Sequence, residues 1–205
     1  MAIPYAPAML AAFNGEFDTD VAQWAWTLHT STYAPSKTTH DFVNDLTNEL
    51  ATANGYTAGG VVSTASRTLT VANSWGTSRA NSTAYTVGTV VRPATGNGFL
   101  YRCVVAGTSG GSVPTYGTVV GGSTTDGSVT WECVGSSIVV ITTANPVWAA
   151  STFVARYAVL SYRSAGTSAT QPLLCYVDFG SDKTGQGGAF TVTLPTQGVL
   201  HFFLP

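Results

Sequence analysis

The strongest constraint on this chain is the alternation of short apolar runs with glycine-rich turns. Turn signals such as Asn54-Gly55, Gly110-Gly111 and Asp126-Gly127 recur along it, and runs rich in Val, Ile and Thr lie between them. β-Branched residues favour strands, whereas Gly, Asn and Asp favour tight turns. This spacing predicts strands over 61–72, 87–92, 99–105, 129–134, 138–142, 153–162, 173–179, 189–194 and 199–203.

The first fifty residues have a different pattern. Residues 1–20 are rich in proline and small side chains, and we interpret them as an arm. In residues 21–30, bulky apolar side chains alternate and predict a half-buried strand: Trp24, Trp26 and Leu28. Residues 39–50 carry apolar residues at helical spacing, with Thr38 or Thr39 as the cap, and predict one short helix: Phe42, Val43, Leu46 and Leu50.

The middle of the chain differs in composition from its flanks. From residue 77 to residue 136, Gly and Thr become frequent and charged residues are rare. We predict a mainly β protein, with a β-sandwich or jelly-roll-like base domain formed by residues 1–76 and 137–205. Residues 77–136 would form a small β module inserted in a surface turn, where insertions are tolerated. The pattern lacks the βαβ alternation of a parallel nucleotide-binding fold.

Charge is scarce throughout. Only 9% of the residues are charged and the net charge is −2, against about 25% charged residues in typical soluble proteins. Such a chain is expected to bury surface against neighbours, and we expect a homo-oligomer. The absence of a basic patch argues against nucleic acid as a partner. No apolar run reaches the length of a membrane-spanning helix, so no membrane partner is expected.

The sequence carries no motif that predicts chemistry. His29, His40 and His201 are far apart and match no metal-binding spacing. Ser109 lies between glycines, but without the strand–turn–helix context of a nucleophile elbow. We therefore predict no catalytic, cofactor or metal site and no enzymatic activity.

Four aromatic residues form the one set with a functional interpretation: Tyr85, Tyr101, Tyr116 and Trp131. Exposed flat rings could stack on sugar rings or pack against a protein partner. Alternatively, the four rings form the core of the module, since a unit of about 60 residues needs large side chains to bury enough surface.

The middle region resembles a small module that recurs in phage virion proteins and is itself similar to chitin-binding carbohydrate-binding modules. The resemblance covers about 55 residues and rests on an ordered series of motifs: Ala84-Tyr-Thr-Val-Gly-Thr-Val-Val-Arg-Pro, Gly98-Phe-Leu-Tyr-Arg-Cys, Gly107-Thr-Ser-Gly, Pro114-Thr, Asp126-Gly and Val129-Thr-Trp-Glu-Cys-Val.

The flanks resemble a family of small tailed-phage structural proteins. The motifs are Tyr33-Ala-Pro, Thr39-His-Asp-Phe, Asp45, Thr47-Asn-Glu, Gly55-Tyr-Thr-Ala-Gly-Gly, Ala155-Arg-Tyr-Ala-Val, Gln171-Pro-Leu-Leu, Tyr176-Val-Asp-Phe-Gly and Gly188-Ala-Phe-Thr-Val.

These resemblances imply a virion component without a cofactor, assembled in the host cytoplasm. We expect a capsid decoration protein that binds the major capsid protein or other virion proteins, with its middle module projecting outward. The alternative is a tail, baseplate or fibre component whose module binds host-surface polysaccharide through the four aromatic residues.

Overall fold

The computed structural model describes residues 2–16, 24–63, 65–71, 76–163, 166–195 and 198–204. It confirms a mainly β fold with several antiparallel sheets and, among these residues, one α-helix. The strands are β1 (Ala2–Pro4), β2 (Trp24–His29), β3 (Val61–Ser63), β4 (Ala65–Val71), β5 (Thr77–Ser78), β6 (Ala84–Tyr85), β7 (Val90–Arg92), β8 (Leu100–Val105), β9 (Gly107–Thr108), β10 (Ser123–Asp126), β11 (Val129–Gly135), β12 (Ser137–Thr143), β13 (Val147–Trp148), β14 (Val154–Tyr162), β15 (Leu173–Thr184), β16 (Phe190–Thr191) and β17 (Leu200–Leu204).

Every run that the sequence predicts as a strand contains one. The additional strands are short: β1, β5, β6, β9, β10 and β13 have two to four residues each. Strands of this length are set by their partners and leave little periodic signal in the sequence. Parts of the predicted arm and strands, at 17–23, Thr64 and Ala72, lie outside the described residues.

The chain divides into two compact units. The larger unit comprises Met1–Arg67 and Ile141–Leu200, and the smaller unit comprises Thr68–Val140 and His201–Pro205. The residues proposed as a module, 77–136, all belong to the smaller unit. Strands β17, β12 and β4 form a three-stranded sheet in that order.

The larger unit contains a five-stranded antiparallel sheet in the order β1-β15-β14-β2-β3. Strand β2 is buried at all six residues, so the prediction of a half-buried strand is wrong. Both of its faces are covered, and even its polar side chains have partners: Thr27 is hydrogen-bonded to His29 Nε2 at 2.9 Å. The indole of Trp26 donates to Thr143 Oγ1 at 3.0 Å.

The helix lies in the predicted arm and not at 39–50. Helix α1 spans Ala6–Phe13, with a proline in its first turn, where the missing N–H leaves no hydrogen bond unmade. Between 39 and 50, only Val43–Asp45 form a single 3₁₀ turn.

Tertiary hydrogen bonds override the helical pattern at 39–50. The Asp45 carboxylate accepts from the Asp41 and Phe42 amides at 2.8 and 3.2 Å, which closes one turn. Neighbouring segments then take the backbone groups that a longer helix would need: Val43 N donates to Gln171 O, and Leu50 N donates to Leu28 O. Asn48 also has a positive φ of 54°, which no α-helix accommodates.

The smaller unit contains a second five-stranded sheet in the order β10-β11-β8-β7-β5, and a pair formed by β6 and β9. In this sheet only β5 and β7 are parallel. One face carries a core of Val91, Tyr101, Cys103, Val129, Trp131 and Cys133. Leu100, Ile138 and Val140 form a second buried cluster. In the described part of the chain, no helix is long and apolar enough to cross a membrane.

Candidate functional site

The four predicted site residues come together in the smaller unit. Tyr101 and Trp131 are fully buried, and Tyr85 and Tyr116 are half-buried against them. The Tyr85 ring meets Trp131 edge-on at 4.9 Å between centroids, and the Tyr101 and Tyr116 rings lie 4.2 Å apart. The rings of Tyr101 and Trp131 therefore face the core and expose no surface on which a sugar ring could stack.

Two of the tyrosine hydroxyls hold the backbone. Tyr85 Oη accepts from Ala80 N at 2.8 Å. Tyr101 Oη donates to Gly117 O at 3.1 Å and accepts from Asn97 Nδ2 at 2.8 Å. The Tyr116 hydroxyl is buried and has no hydrogen-bond partner among the described residues. Its burial, together with the nearby Asp126 carboxylate, raises the pKa of Tyr116 well above its ordinary value.

Beside these rings lies a buried ion pair, which we call the Arg79–Asp126 centre. Arg79 Nε donates to Asp126 Oδ2 at 2.9 Å, and Arg79 Nη2 donates to Asp126 Oδ1 at 2.6 Å. The side chains are 0% and 1% exposed. The indole of Trp131 donates to Asp126 Oδ2 at 2.9 Å. One of the four predicted site residues is therefore a hydrogen-bond donor to this carboxylate.

The electrostatics of this centre follow from its contacts. Burial alone would raise the pKa of Asp126, but hydrogen bonds from Arg79, Trp131 and the Gly110 amide lower it below its ordinary value. The hydrogen bond to Asp126 raises the pKa of Arg79. Both groups are therefore charged at neutral pH. Breaking such a pair by removing one partner leaves a buried, uncompensated charge.

The Arg79–Asp126 centre fixes one end of a long loop, residues 110–122. Arg79 Nη2 donates to Gly110 O at 2.7 Å and to Ser112 O at 2.9 Å, and Gly110 N donates to Asp126 Oδ1 at 2.9 Å. Gly127 allows the backbone at Thr108 to lie close to it. Gly127 has a φ of 65°, and a Cβ there would lie 2.5 Å from Thr108 O.

The rest of the 110–122 loop is tied to the strands. Gly117 N donates to Thr124 Oγ1 at 3.1 Å, and Gly121 N donates to Cys133 O at 2.8 Å. The loop contains no charged residue, yet it exposes three valines: Val113, Val119 and Val120. Val119 is the most exposed, at 74%. A loop anchored at so many points presents these side chains in a fixed arrangement.

The smaller unit leaves little charge on its surface. Between Thr68 and Val140 the sequence has five charged residues. Arg79 and Asp126 are buried together, Arg102 and Glu132 form a surface ion pair at 2.6 Å, and Arg92 is half-buried. Exposed valines outside the loop add to the apolar surface: Val87, Val104 and Val105. Where exposed apolar side chains lie together, proteins use such surface to contact other molecules.

The other residues considered from the sequence have structural partners. Ser109 Oγ donates to Ala80 O at 2.8 Å and accepts from Thr83 N at 3.0 Å. His29 Nδ1 lies 2.8 Å from Thr47 O, and His40 Nδ1 lies 3.0 Å from Tyr33 Oη. Burial lowers the pKa of His29. Within the described residues, no three His, Cys, Asp or Glu side chains converge as metal ligands would.

Sequence reasoning missed the Arg79–Asp126 centre, because its two residues are 47 positions apart. One signal was present. Isolated charges in a stretch that is otherwise uncharged must either lie on the surface or pair with each other, and three positive and two negative residues make a pair a reasonable expectation.

Comparison of the chain with protein-family models, curated proteins and solved structures finds no match.

Proposed function

We propose that this chain is a structural component of a tailed-phage particle, a capsid decoration protein that binds other virion proteins through its smaller unit, rather than projecting that unit outward, and performs no catalysis. The observation that carries the proposal is the surface of the smaller unit. It combines scarce charge with exposed valines on the 110–122 loop, and a buried ion pair holds that loop in place. The assignment to a phage particle rests on the sequence resemblances.

The physical argument concerns buried area. Apolar surface removed from water contributes about 25 cal/mol per Å², before the costs of association. A loop that is already fixed loses little conformational freedom on binding, so more of this gain remains. Repetition over a capsid lattice would turn modest contacts into strong attachment through multivalency.

The burial of Tyr101 and Trp131 weighs against the alternative in which the four aromatic residues bind host-surface polysaccharide. Half-buried Tyr85 and Tyr116 would be left as the only sugar contacts from that set. Tyr85 has its hydroxyl bound to Ala80 N. The decoration hypothesis needs no exposed ring and therefore fits the arrangement better.

The copy number in purified particles tests the proposal. Quantitative mass spectrometry should find the chain in fixed proportion to the major capsid protein, and particles that lack it should break at lower temperature or osmotic shock. A small copy number that matches the tail symmetry would favour a tail, baseplate or fibre role instead. Complete absence from washed particles would refute a structural role in the virion.

The attachment itself is tested by paired substitutions in the 110–122 loop. Val119→Ser removes an exposed apolar side chain and should lower the occupancy on particles. Thr118→Ser changes the neighbouring position without removing apolar area of that size, and it should leave the occupancy unchanged. Equal occupancy of both variants would exclude the loop as an attachment point.

A further inference from the structure

Helix α1 is apolar at every position, Ala-Pro-Ala-Met-Leu-Ala-Ala-Phe, with no charged residue in its first or last turn. One side is buried: Ala8 and Ala11 pack into the larger unit. The opposite side is not, because Met9 is 48% exposed and Leu10 is 63% exposed. Surface helices normally carry polar residues outward, and a helix that is apolar all round belongs in a buried environment.

The position of α1 is fixed by its N-terminal contacts. Strand β1 pairs with β15, so the chain enters the helix from a sheet edge. Tyr5, directly before the helix, is fully buried and shares a 2.9 Å hydrogen bond with the Tyr33 hydroxyl. Ala6 N donates to Lys37 O at 2.7 Å. These contacts do not involve Met9 or Leu10, so the exposed side chains contribute little to holding the helix in place.

A small cavity lies beside the exposed face of α1. Its volume is about 60 Å³, and its apolar walls come from Pro7, Leu10, Ala11 and Phe42. Such a volume accepts the end of one aliphatic side chain. The remaining lining residues are acidic, Glu16 and Asp41, and no basic side chain is among the described residues that line it.

The acidic character extends beyond the cavity. Asp45 lies next to Asp41, and burial together with the Asp45 carboxylate raises the pKa of Asp41, while hydrogen bonds from the Asp41 and Phe42 amides lower the pKa of Asp45. The pair therefore keeps negative charge at the cavity. Acidic groups beside an apolar cavity with no basic residue in its lining favour a partner that brings positive charge.

We propose that the outer face of α1 is a docking surface for another protein of the particle, which inserts an aliphatic side chain flanked by Lys or Arg into the cavity beside Leu10. This inference rests on the proposed function in one respect: the partner is identified as a protein of the particle. A second copy of the chain is the weaker candidate, because two such faces meeting each other would bring Glu16 and Asp41 against their own equivalents.

The first test uses purified protein and synthetic peptides. Three peptides of equal length are labelled for fluorescence anisotropy: one with leucine flanked by lysines, one with leucine flanked by glutamates, and one with alanine flanked by lysines. The first should bind at least tenfold more tightly than the other two. Equal binding of the lysine and glutamate peptides would overturn the proposal, and so would equal binding of the leucine and alanine peptides.

Matched variants locate the binding. Leu10→Ser should abolish the preference for the leucine–lysine peptide, and Glu16→Lys should weaken it and make it less sensitive to salt. Val62→Ser is the control, since Val62 is 66% exposed on β3 of the same unit, and it should bind as the unaltered chain does. Unchanged binding by Leu10→Ser would overturn the proposal. Reversible self-association that Leu10→Ser abolishes would assign the face to a second copy instead.

The second test places the same variants on particles. Leu10→Ser should lower the occupancy at least tenfold, whereas Val62→Ser should not. If the chain occupies particles and Leu10→Ser leaves the occupancy unchanged, the docking surface is wrong and the proposed function stands. If the chain is absent from particles, the proposed function fails, and the peptide measurements still decide whether the face binds a basic, apolar partner.

Discussion

The two units of this chain differ in whether a described ion pair is buried. In the larger unit, the ion pair between Arg156 and Asp178 lies at the surface, with side chains 24% and 34% exposed. In the smaller unit, Arg79 and Asp126 are almost completely buried. A surface pair contributes little to stability, whereas a buried pair is costly to form and more costly to break. The smaller unit thus contains a buried polar centre beside its apolar core, whereas the ion pair of the larger unit lies at the surface.

The difference has a structural reason. The larger unit buries extensive aromatic and aliphatic surface around β2 and β14, including Trp24, Trp26, Leu28 and Leu160. The smaller unit has long connections with little regular structure, such as the 110–122 loop. Backbone carbonyls and amides in such a loop need partners. Arg79 and Asp126 supply several of these hydrogen-bond partners at once.

Removal of one partner from each pair should give the largest contrast. Asp126→Asn leaves the Arg79 guanidinium buried without a counter-charge, so the free energy of unfolding should fall by about 3–5 kcal/mol. Asp178→Asn, the matched change in the surface pair, should cost about 0–1 kcal/mol. Denaturant titration gives both values. Equal losses would contradict the contrast between the two units.

Acid should separate the two units by the pH at which each weakens. Burial lowers the pKa of His29 in the larger unit, so its contribution to stability is present above about 6.5, the unfolded value, and is lost as the pH falls below it. The pKa of Asp126 is lowered as well, so its contribution is present above about 4 and is lost only at lower pH.

Hydrogen exchange by mass spectrometry resolves this order. As the pH falls, after correction for the intrinsic exchange rate, peptides around β2 should lose protection before peptides from β10 and β11 do. His29→Gln should remove the loss of protection that begins as the pH falls below about 6.5, and Asp126→Asn should remove the loss in stronger acid. Loss of protection in the reverse order would contradict the assignment of the two steps.

The tyrosines of the smaller unit provide a sharper test of its polar contacts. Tyr101→Phe removes the hydrogen bonds to Gly117 O and from Asn97, so it should destabilise the protein by about 1 kcal/mol. Tyr116→Phe removes a buried hydroxyl without a partner among the described residues, so it should be neutral or stabilising. Thermal unfolding compares the two, and a larger loss from Tyr116→Phe would show that its hydroxyl has an important partner.

The smallest effect is expected at the exposed pair of the smaller unit. Arg102 and Glu132 are hydrogen-bonded at 2.6 Å but remain 44% and 27% exposed. Glu132→Gln should therefore change the free energy of unfolding by less than about 1 kcal/mol. Denaturant titration beside Asp126→Asn would show whether burial, rather than location in the smaller unit, determines the cost.

The strands of this protein could be predicted because β-branched runs and glycine turns act locally. The position of the helix could not be predicted from the sequence. The pattern at 39–50 is helical, but Asp45 closes a single turn and the backbone pairs with other segments. Helix α1 has no amphipathic period to detect, since all its residues are apolar.

The candidate site, too, could be predicted only in part. Composition was enough to select Tyr85, Tyr101, Tyr116 and Trp131 as a group, and the structure brings them together. Whether an aromatic ring on a strand faces the core or the solvent depends on register and on what covers the sheet. The ion pair depends on contacts between β10 and a residue 47 positions earlier. Neither property follows from local sequence.

A reconstruction of the purified particle by electron cryomicroscopy tests the account most directly. We predict density for this chain at regular positions on the capsid lattice, with the outer face of α1 or the 110–122 loop in contact with neighbouring proteins. A particle whose capsid and tail both lack this density, with the chain absent from the same sample by mass spectrometry, would contradict the proposed role.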